Sequence, residues 1–177
     1  VGTAFRVWAP HADAVFVTGS FNNWSPDAHP MARVDQGHWY ADIPGVAVGC
    51  EYRYRIVNGD RQLLRIDPCA RQVTSSAGNA VVHDPHFDWE GDNFRLPPVN
   101  ELVIYEMHLG TFHTDVDRST DKFAEAVLKL YHLKRLGVNV IEVMPLAEFA
   151  GGLSWGYNPA CIFAVETDYG GPTGLKR

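Results

Sequence analysis

The hydrophobic and polar positions of the chain fall into two regimes. Up to Asp84 they form short extended runs separated by turn residues. Ala4–Trp8 is apolar and stops at Pro10, and Ala14–Thr18 is closed by Gly19. Ser20 to Pro30 reads as a polar loop. Gly37–Ile43 alternates in part, with Trp39 and Ala41 opposite His38 and Tyr40. Glu51–Val57 alternates cleanly, placing Tyr52, Tyr54 and Ile56 on one face and Arg53, Arg55 and Val57 on the other. Asn58–Gly59 predicts a hairpin turn. Leu63–Ile66 and Ala80–His83 complete about six or seven strands, with turn signals roughly every 8–12 residues, the rhythm of an antiparallel all-β sandwich over residues 1–84.

The pattern then changes. Residues 85–100 read as a linker with a stiff Pro97–Pro98 end. Leu102–Leu109 is a near-continuous apolar run, as in strands buried on both faces of a parallel sheet. A helix is predicted next, with Thr120 as its N-cap and Asp121 in its first turn. Phe123, Val127, Leu130 and Tyr131 form its apolar stripe, and Gly137 stops it. Val138–Met144 is a second buried strand, ended by Pro145. Strand, helix, strand makes a right-handed parallel unit. Residues 101–177 therefore read as strand–helix–strand–loop, the start of an α/β domain that is incomplete and cannot close a barrel. A whole barrel needs about 250 residues and eight strands.

Composition narrows the classes. The chain has 177 residues, net charge −6, 46% hydrophobic and 12% aromatic residues. The negative balance opposes a nucleic-acid partner, which needs a basic stripe. No apolar run reaches the roughly 18 residues of a membrane span, so no membrane partner is expected. Three scattered cysteines, Cys50, Cys69 and Cys161, fit a reducing, cytoplasmic setting. Residue 1 is Val, so the true N-terminus is expected upstream, and a signal peptide is left open. Oligomeric state is unspecified.

Several segments together resemble known carbohydrate-active families. Ala4–Pro10 (AFRVWAP), Thr18–Ser25 (TGSFNNWS), Gly37-His38-Trp39, Glu51–Val57 and Asp67–Arg71 (DPCAR) resemble carbohydrate-binding modules of family 48, which are immunoglobulin-like sandwiches. Glu101–Phe112 (ELVIYEMHLGTF), Leu136–Pro145 (LGVNVIEVMP), Ser154–Pro159 (SWGYNP) and Tyr169–Pro172 (YGGP) resemble the opening of a family-13 glycoside hydrolase. The nearest flavour is that of glucan branching enzymes, isoamylases and maltooligosyltrehalose hydrolases. The resemblance implies that residues 101–177 are the first part of a TIM barrel, belonging to a retaining enzyme that acts on α-glucans such as glycogen, starch and maltooligosaccharides without a cofactor. Its catalytic carboxylates would follow the fourth, fifth and seventh barrel strands. None of the 21 acidic residues here can take those roles, so this polypeptide is expected to be inactive by itself. Glycogen branching is the first reading of the parent's reaction, and a non-catalytic glucan-binding or scaffolding module is the alternative.

The resemblance also names residues. Tyr157 corresponds to the aromatic platform beneath the reacting sugar, with Trp155 and Asn158 beside it. An aromatic ring suits the apolar C–H face of a pyranose. The bland alternative is packing at the barrel mouth. In the sandwich, Trp24 and Asn79 match glucan contacts of relatives, although Trp24 would equally serve as a packing residue. A second tryptophan of those relatives is replaced here by Gln62-Leu63-Leu64. His108 reads as a hydrogen-bonded core residue or a substrate contact, on the same strand side as Glu106. Glu142 reads as a buried structural pair, and Arg53 and Arg55 as a solvated face or interdomain contact. His83 and His86 have no metal-ligand spacing.

Overall fold

The alternation of residues 51–58 organises the first unit. The computed structural model describes residues 2–113 and 121–177, and the chain divides into two compact units, Val1–Asp84 and Pro85–Arg177. In the first, seven strands are formed: β1 (Gly2–Trp8), β2 (Ala14–Gly19), β3 (Ala32–Arg33), β4 (His38–Pro44), β5 (Glu51–Asn58), β6 (Arg61–Arg65) and β7 (Ala80–Val81). One antiparallel sheet has the order β1-β4-β3. The other has the order β2-β5-β6, with β7 also paired to β5. The faces read from period two hold: Tyr52 and Tyr54 are buried, and Tyr52 meets Phe5 of the opposite sheet edge-on at 4.9 Å between ring centroids. Val15, Val17, Trp39 and Ile43 complete the layer between the sheets.

The hairpin after β5 is shifted by one residue from its expected place. Asn58 pairs with Arg61, so Gly59 and Asp60 form the two-residue loop, and Gly59 takes the positive φ of +53° that such hairpins require. Asn58 belongs to the ladder because its side-chain amide donates to the His11 carbonyl at 2.6 Å.

A buried carboxylate ties the core to the segment after β6. Asp67 Oδ2 accepts from the hydroxyls of Tyr52 (2.7 Å) and Tyr54 (3.2 Å), while Oδ1 accepts from the Cys69 amide at 2.8 Å. Burial, and then the Asp67 charge, push both phenols far above their ordinary range.

The second unit contains β8 (Ile104–Met107), α1 (Leu109–Phe112), α2 (Lys122–Arg135), β9 (Val140–Val143), β10 (Ala147–Phe149), β11 (Pro159–Val165) and α3 (Gly171–Lys176). β8 and β9 are parallel, with Ile104 opposite Val140 and Met107 opposite Val143. The expected N-cap, Thr120, lies outside the described residues. Asp121 caps α2, its carboxylate accepting from the Ala124 amide at 3.0 Å.

Four expectations are corrected here. The buried stripe of α2 runs through Ala126 and Leu133, with Phe123 packed beside it, whereas Val127, Leu130 and Tyr131 are exposed. Ala126 shares a buried cluster with Met107, Leu109, Phe149 and Tyr169. The strand pair is not buried on both faces: Ile104, Tyr105 and Val143 are exposed, because among the described residues β8 and β9 pair only with each other. Glu142 is likewise exposed rather than buried, lying opposite Glu106. Finally, the stretch after Pro145 is not simply irregular, since β10 and β11 form an antiparallel hairpin within it.

The phenols of Tyr52 and Tyr54 lead to an alkaline prediction. In an unfolded chain they ionise near pH ~10, whereas in the fold they keep their protons above it. The folded state then holds more protons, so this contribution to stability is complete below pH ~10 and is lost as pH rises further. Ultraviolet titration should show two of the seven tyrosines silent until unfolding. Asp67→Ala should cost about 3 kcal/mol in thermal or urea unfolding, because two buried hydroxyls lose their acceptor.

Candidate functional site

Two loops present aromatic rings to water, and each is built by fixing its backbone with neighbouring polar groups. In the first unit the loop after β2 is held by Asn22. Its Oδ1 accepts from the Gly19 amide (3.0 Å), and its amide donates to the Val17 carbonyl (3.2 Å) and to His29 Nδ1 (2.9 Å). The chain then turns through two consecutive left-handed residues, Asn23 (φ +52°) and Trp24 (φ +58°). A left-handed tryptophan is uncommon, and such strain persists only where the surroundings enforce it. The Trp24 amide donates to the Gly19 carbonyl at 2.9 Å, and the side chain stays 40% exposed.

Trp24 lines a shallow depression of about 340 Å³ with Thr18, Pro26, Arg55, Gln62, Leu63 and Leu64. Arg55 stiffens it: its guanidinium lies 5.0 Å over the Phe16 ring, donates to Gln62 Oε1 at 3.1 Å and reaches the Pro26 carbonyl at 3.3 Å. Thr18 is only 4% exposed, and its hydroxyl has no hydrogen-bond partner. Thr18 and Arg55 were not expected here. Arg55 was read as a solvated face, and Leu63 and Leu64 as the loss of a contact, yet both leucines are part of the wall.

Asn79 occupies a different environment. Its Oδ1 accepts from Arg53 Nε and its Nδ2 donates to Glu51 Oε2, both at 2.6 Å. Arg53 also donates to the carbonyls of Ala77 and Gly78, so it fastens this loop to β5.

In the second unit the aromatic loop joins β10 to β11. Trp155 is 71% and Tyr157 67% exposed, and Asn158 is exposed as well. Between the rings, Gly156 has φ +87° and is buried; a Cβ there would come within 2.9 Å of Pro145 Cβ and closer still to the Pro145 carbonyl oxygen. Ser154 Oγ accepts from the Gly156 amide at 3.0 Å and donates to Asn158 Oδ1. The feet of the hairpin are tied by two buried carboxylates. Glu148 accepts from the Thr167 amide and hydroxyl (2.9 and 2.8 Å), and Glu166 from the amides of Phe149 and Asp168 (3.1 and 3.2 Å). Desolvation raises the Glu166 carboxyl above its ordinary range against the opposing pull of those amides. Sequence reasoning missed this pair, because two glutamates inside apolar runs carry no local signal of mutual bracing.

The loop is anchored just past the carboxyl ends of the parallel strands. Pro145 follows β9, and His108 follows β8 directly. His108 Nε2 lies 2.9 Å from the Ser154 carbonyl, its Nδ1 lies 2.9 Å from Thr111 Oγ1, and the Tyr169 hydroxyl is 3.1 Å from Nε2.

Residues 1–70 match carbohydrate-binding module 48, described as the isoamylase N-terminal domain. That match spans most of the first unit, which is thus similar to a family-48 module. The chain is also 36% identical over 179 residues to the 1,4-alpha-glucan branching enzyme GlgB of Picrophilus torridus, covering 99% of this chain and 25% of that protein. It is 34% identical to the malto-oligosyltrehalose trehalohydrolase of Saccharolobus solfataricus, covering 99% and 29%. The solved pullulanase type I from Bacillus subtilis str. 168, complexed with maltose, superposes with a TM-score of 0.79 at 29% identity, over 95% of this chain and 27% of that one. The chain is thus homologous to glucan-branching and glucan-hydrolysing enzymes, and it spans about a quarter of the length of the relatives it matches.

The geometry of Gly156 is directly testable. Gly156→Ala should displace the loop, change the emission of the tryptophans and lower the stability of the second unit by at least about 1 kcal/mol in chemical unfolding. The same substitution at Gly152, which has open space around it and an ordinary φ, should do neither.

Proposed function

We propose that the family-48 module binds α-glucan through the Trp24 depression, and that residues 101–177 open the catalytic barrel of a family-13, retaining α-glucan enzyme. In this reading β8 and β9 are the first two barrel strands. Active sites of such barrels lie at the carboxyl ends of the strands. The observation that carries the reading is that the loop bearing Trp155, Tyr157 and Asn158 is anchored at those ends, through His108 and Pro145. Tyr157 then offers its ring to a sugar face, with Trp155 and Asn158 flanking it.

On the module, the Trp24 ring stacks on a pyranose while Arg55 and Gln62 beside it offer hydrogen bonds to sugar hydroxyls. Asn79 can join as well. Each of its amide atoms has one bond to a neighbour, which leaves one lone pair and one N–H for a ligand. Glycogen, starch and maltooligosaccharides are the proposed partners, in the cytoplasm. Transfer between α-1,4 and α-1,6 linkages is the favoured reaction of the parent enzyme. The relatives support this substrate class, since they comprise a branching enzyme, a trehalohydrolase and a pullulanase.

Retaining hydrolysis needs a nucleophilic carboxylate and an acid carboxylate on either side of the bond. In this reading both come from barrel strands later than β9. The 177-residue polypeptide should therefore neither cleave nor transfer maltooligosaccharides, and measurable turnover would place the carboxylates among its own residues. Affinity electrophoresis in glycogen tests the module. The chain should be retarded, and Trp24→Ala should abolish the retardation while leaving its unfolding transition in place. Unchanged retardation would make Trp24 a packing residue.

A further inference from the structure

We infer that His108 is the positioning residue of the aromatic loop, with a hydrogen on Nε2 that holds the Ser154 carbonyl. The Ser154 backbone carbonyl accepts and cannot donate, so the Nε2 facing it at 2.9 Å must carry the hydrogen. In the neutral ring Nδ1 is then an acceptor, and the Thr111 hydroxyl at 2.9 Å donates to it. The Tyr169 hydroxyl oxygen, 3.1 Å from Nε2, is a second acceptor for the same N–H. One imidazole thus gathers three separate pieces of chain: the turn into α1, the loop between β10 and β11, and the segment before α3.

The groups around the imidazole are closely packed. A Cβ on Gly110 would lie 2.7 Å from the Tyr169 hydroxyl and 3.1 Å from His108 Cε1, so this glycine is required for the three groups to meet. Tyr169 is itself buried against Phe149 at the foot of the hairpin, with centroids 6.0 Å apart. The order then passes along the loop. His108 fixes the Ser154 main chain, and the Ser154 hydroxyl fixes the Gly156 amide and Asn158. Trp155 and Tyr157 are attached to the peptides held in this way. Removing the imidazole donor releases the carbonyl on which that relay begins.

This inference rests on the proposed reading only where it concerns glucan; the clamp itself is a statement about this chain. In the intact 177-residue protein, long-range proton–nitrogen correlation should report His108 as the Nε2–H tautomer at neutral pH. Thr111→Val, which removes the donor to Nδ1, should relax that preference. His108→Ala should speed exchange of the Gly156 amide by about tenfold, and His108→Gln, which keeps an N–H donor, should restore most of the protection. An Nδ1–H or mixed tautomer in the parent chain overturns the inference, as does unchanged Gly156 exchange in His108→Ala. Should His108→Ala not fold, the Gln and Thr111→Val variants decide by the same readouts. Maltoheptaose added to the parent chain separates the two ideas. Perturbation of the Trp155 indole that weakens in His108→Ala supports both. No response to maltoheptaose alongside the expected tautomer and exchange leaves the clamp standing and removes the glucan reading of this loop.

Discussion

A loop holds an aromatic ring out in water only if something other than that ring fixes its backbone, because exposed apolar surface gives no packing energy in return. Both candidate loops meet this constraint with short polar side chains turned inward. Asn22 uses both ends of its amide to lock the turn that forces Trp24 into a left-handed conformation. Ser154 accepts from Gly156 and pairs with Asn158, so that the rings on either side of a buried, left-handed glycine project outward. The motifs are unrelated in sequence, FNNWS and SWGYN, yet the physical solution is the same.

The strands of the sandwich were legible because a half-buried strand has period two and each turn has its own chemistry. Tyr52 and Tyr54 announce a core face, and Asn58-Gly59 announces a hairpin to within one residue. What was not legible lies in pairs distant in sequence. Nothing near Glu148 says that its carboxylate will meet Thr167, nor near Asp67 that two tyrosines will share it. The stripe of α2 was misplaced for a similar reason. Period alone prefers the larger Val127 and Tyr131, whereas the packing space beside Met107 and Phe149 admits Ala126. Of the candidate site, the aromatic residues could be named in advance. Their supports, Arg55, Thr18 and His108, acquire meaning only once partners from other segments are in place.

The second unit has an unfinished character that follows from its own surface. β8 and β9 expose Ile104, Tyr105 and Val143, and α2 exposes Val127, Leu128 and Tyr131. Contiguous apolar surface of this kind marks an interface in soluble proteins. The relatives are about four times as long, and in the proposed reading further barrel strands and helices cover these residues. The module, in contrast, closes its core between its own two sheets, around Phe5, Val17, Trp39 and Tyr54.

On the proposed reading, the Trp24 depression is a glucan site built from a strained indole, the Arg55 guanidinium and an apolar wall. Amide and side-chain chemical shifts of the 177-residue chain, followed during titration with maltoheptaose, test it most directly. Shifts on the module should concentrate at the Trp24 indole, Thr18, Arg55 and Leu64, and saturate together with a single dissociation constant. Saturating shifts elsewhere on the module, with these four unmoved, or no shifts at millimolar maltoheptaose, would contradict it.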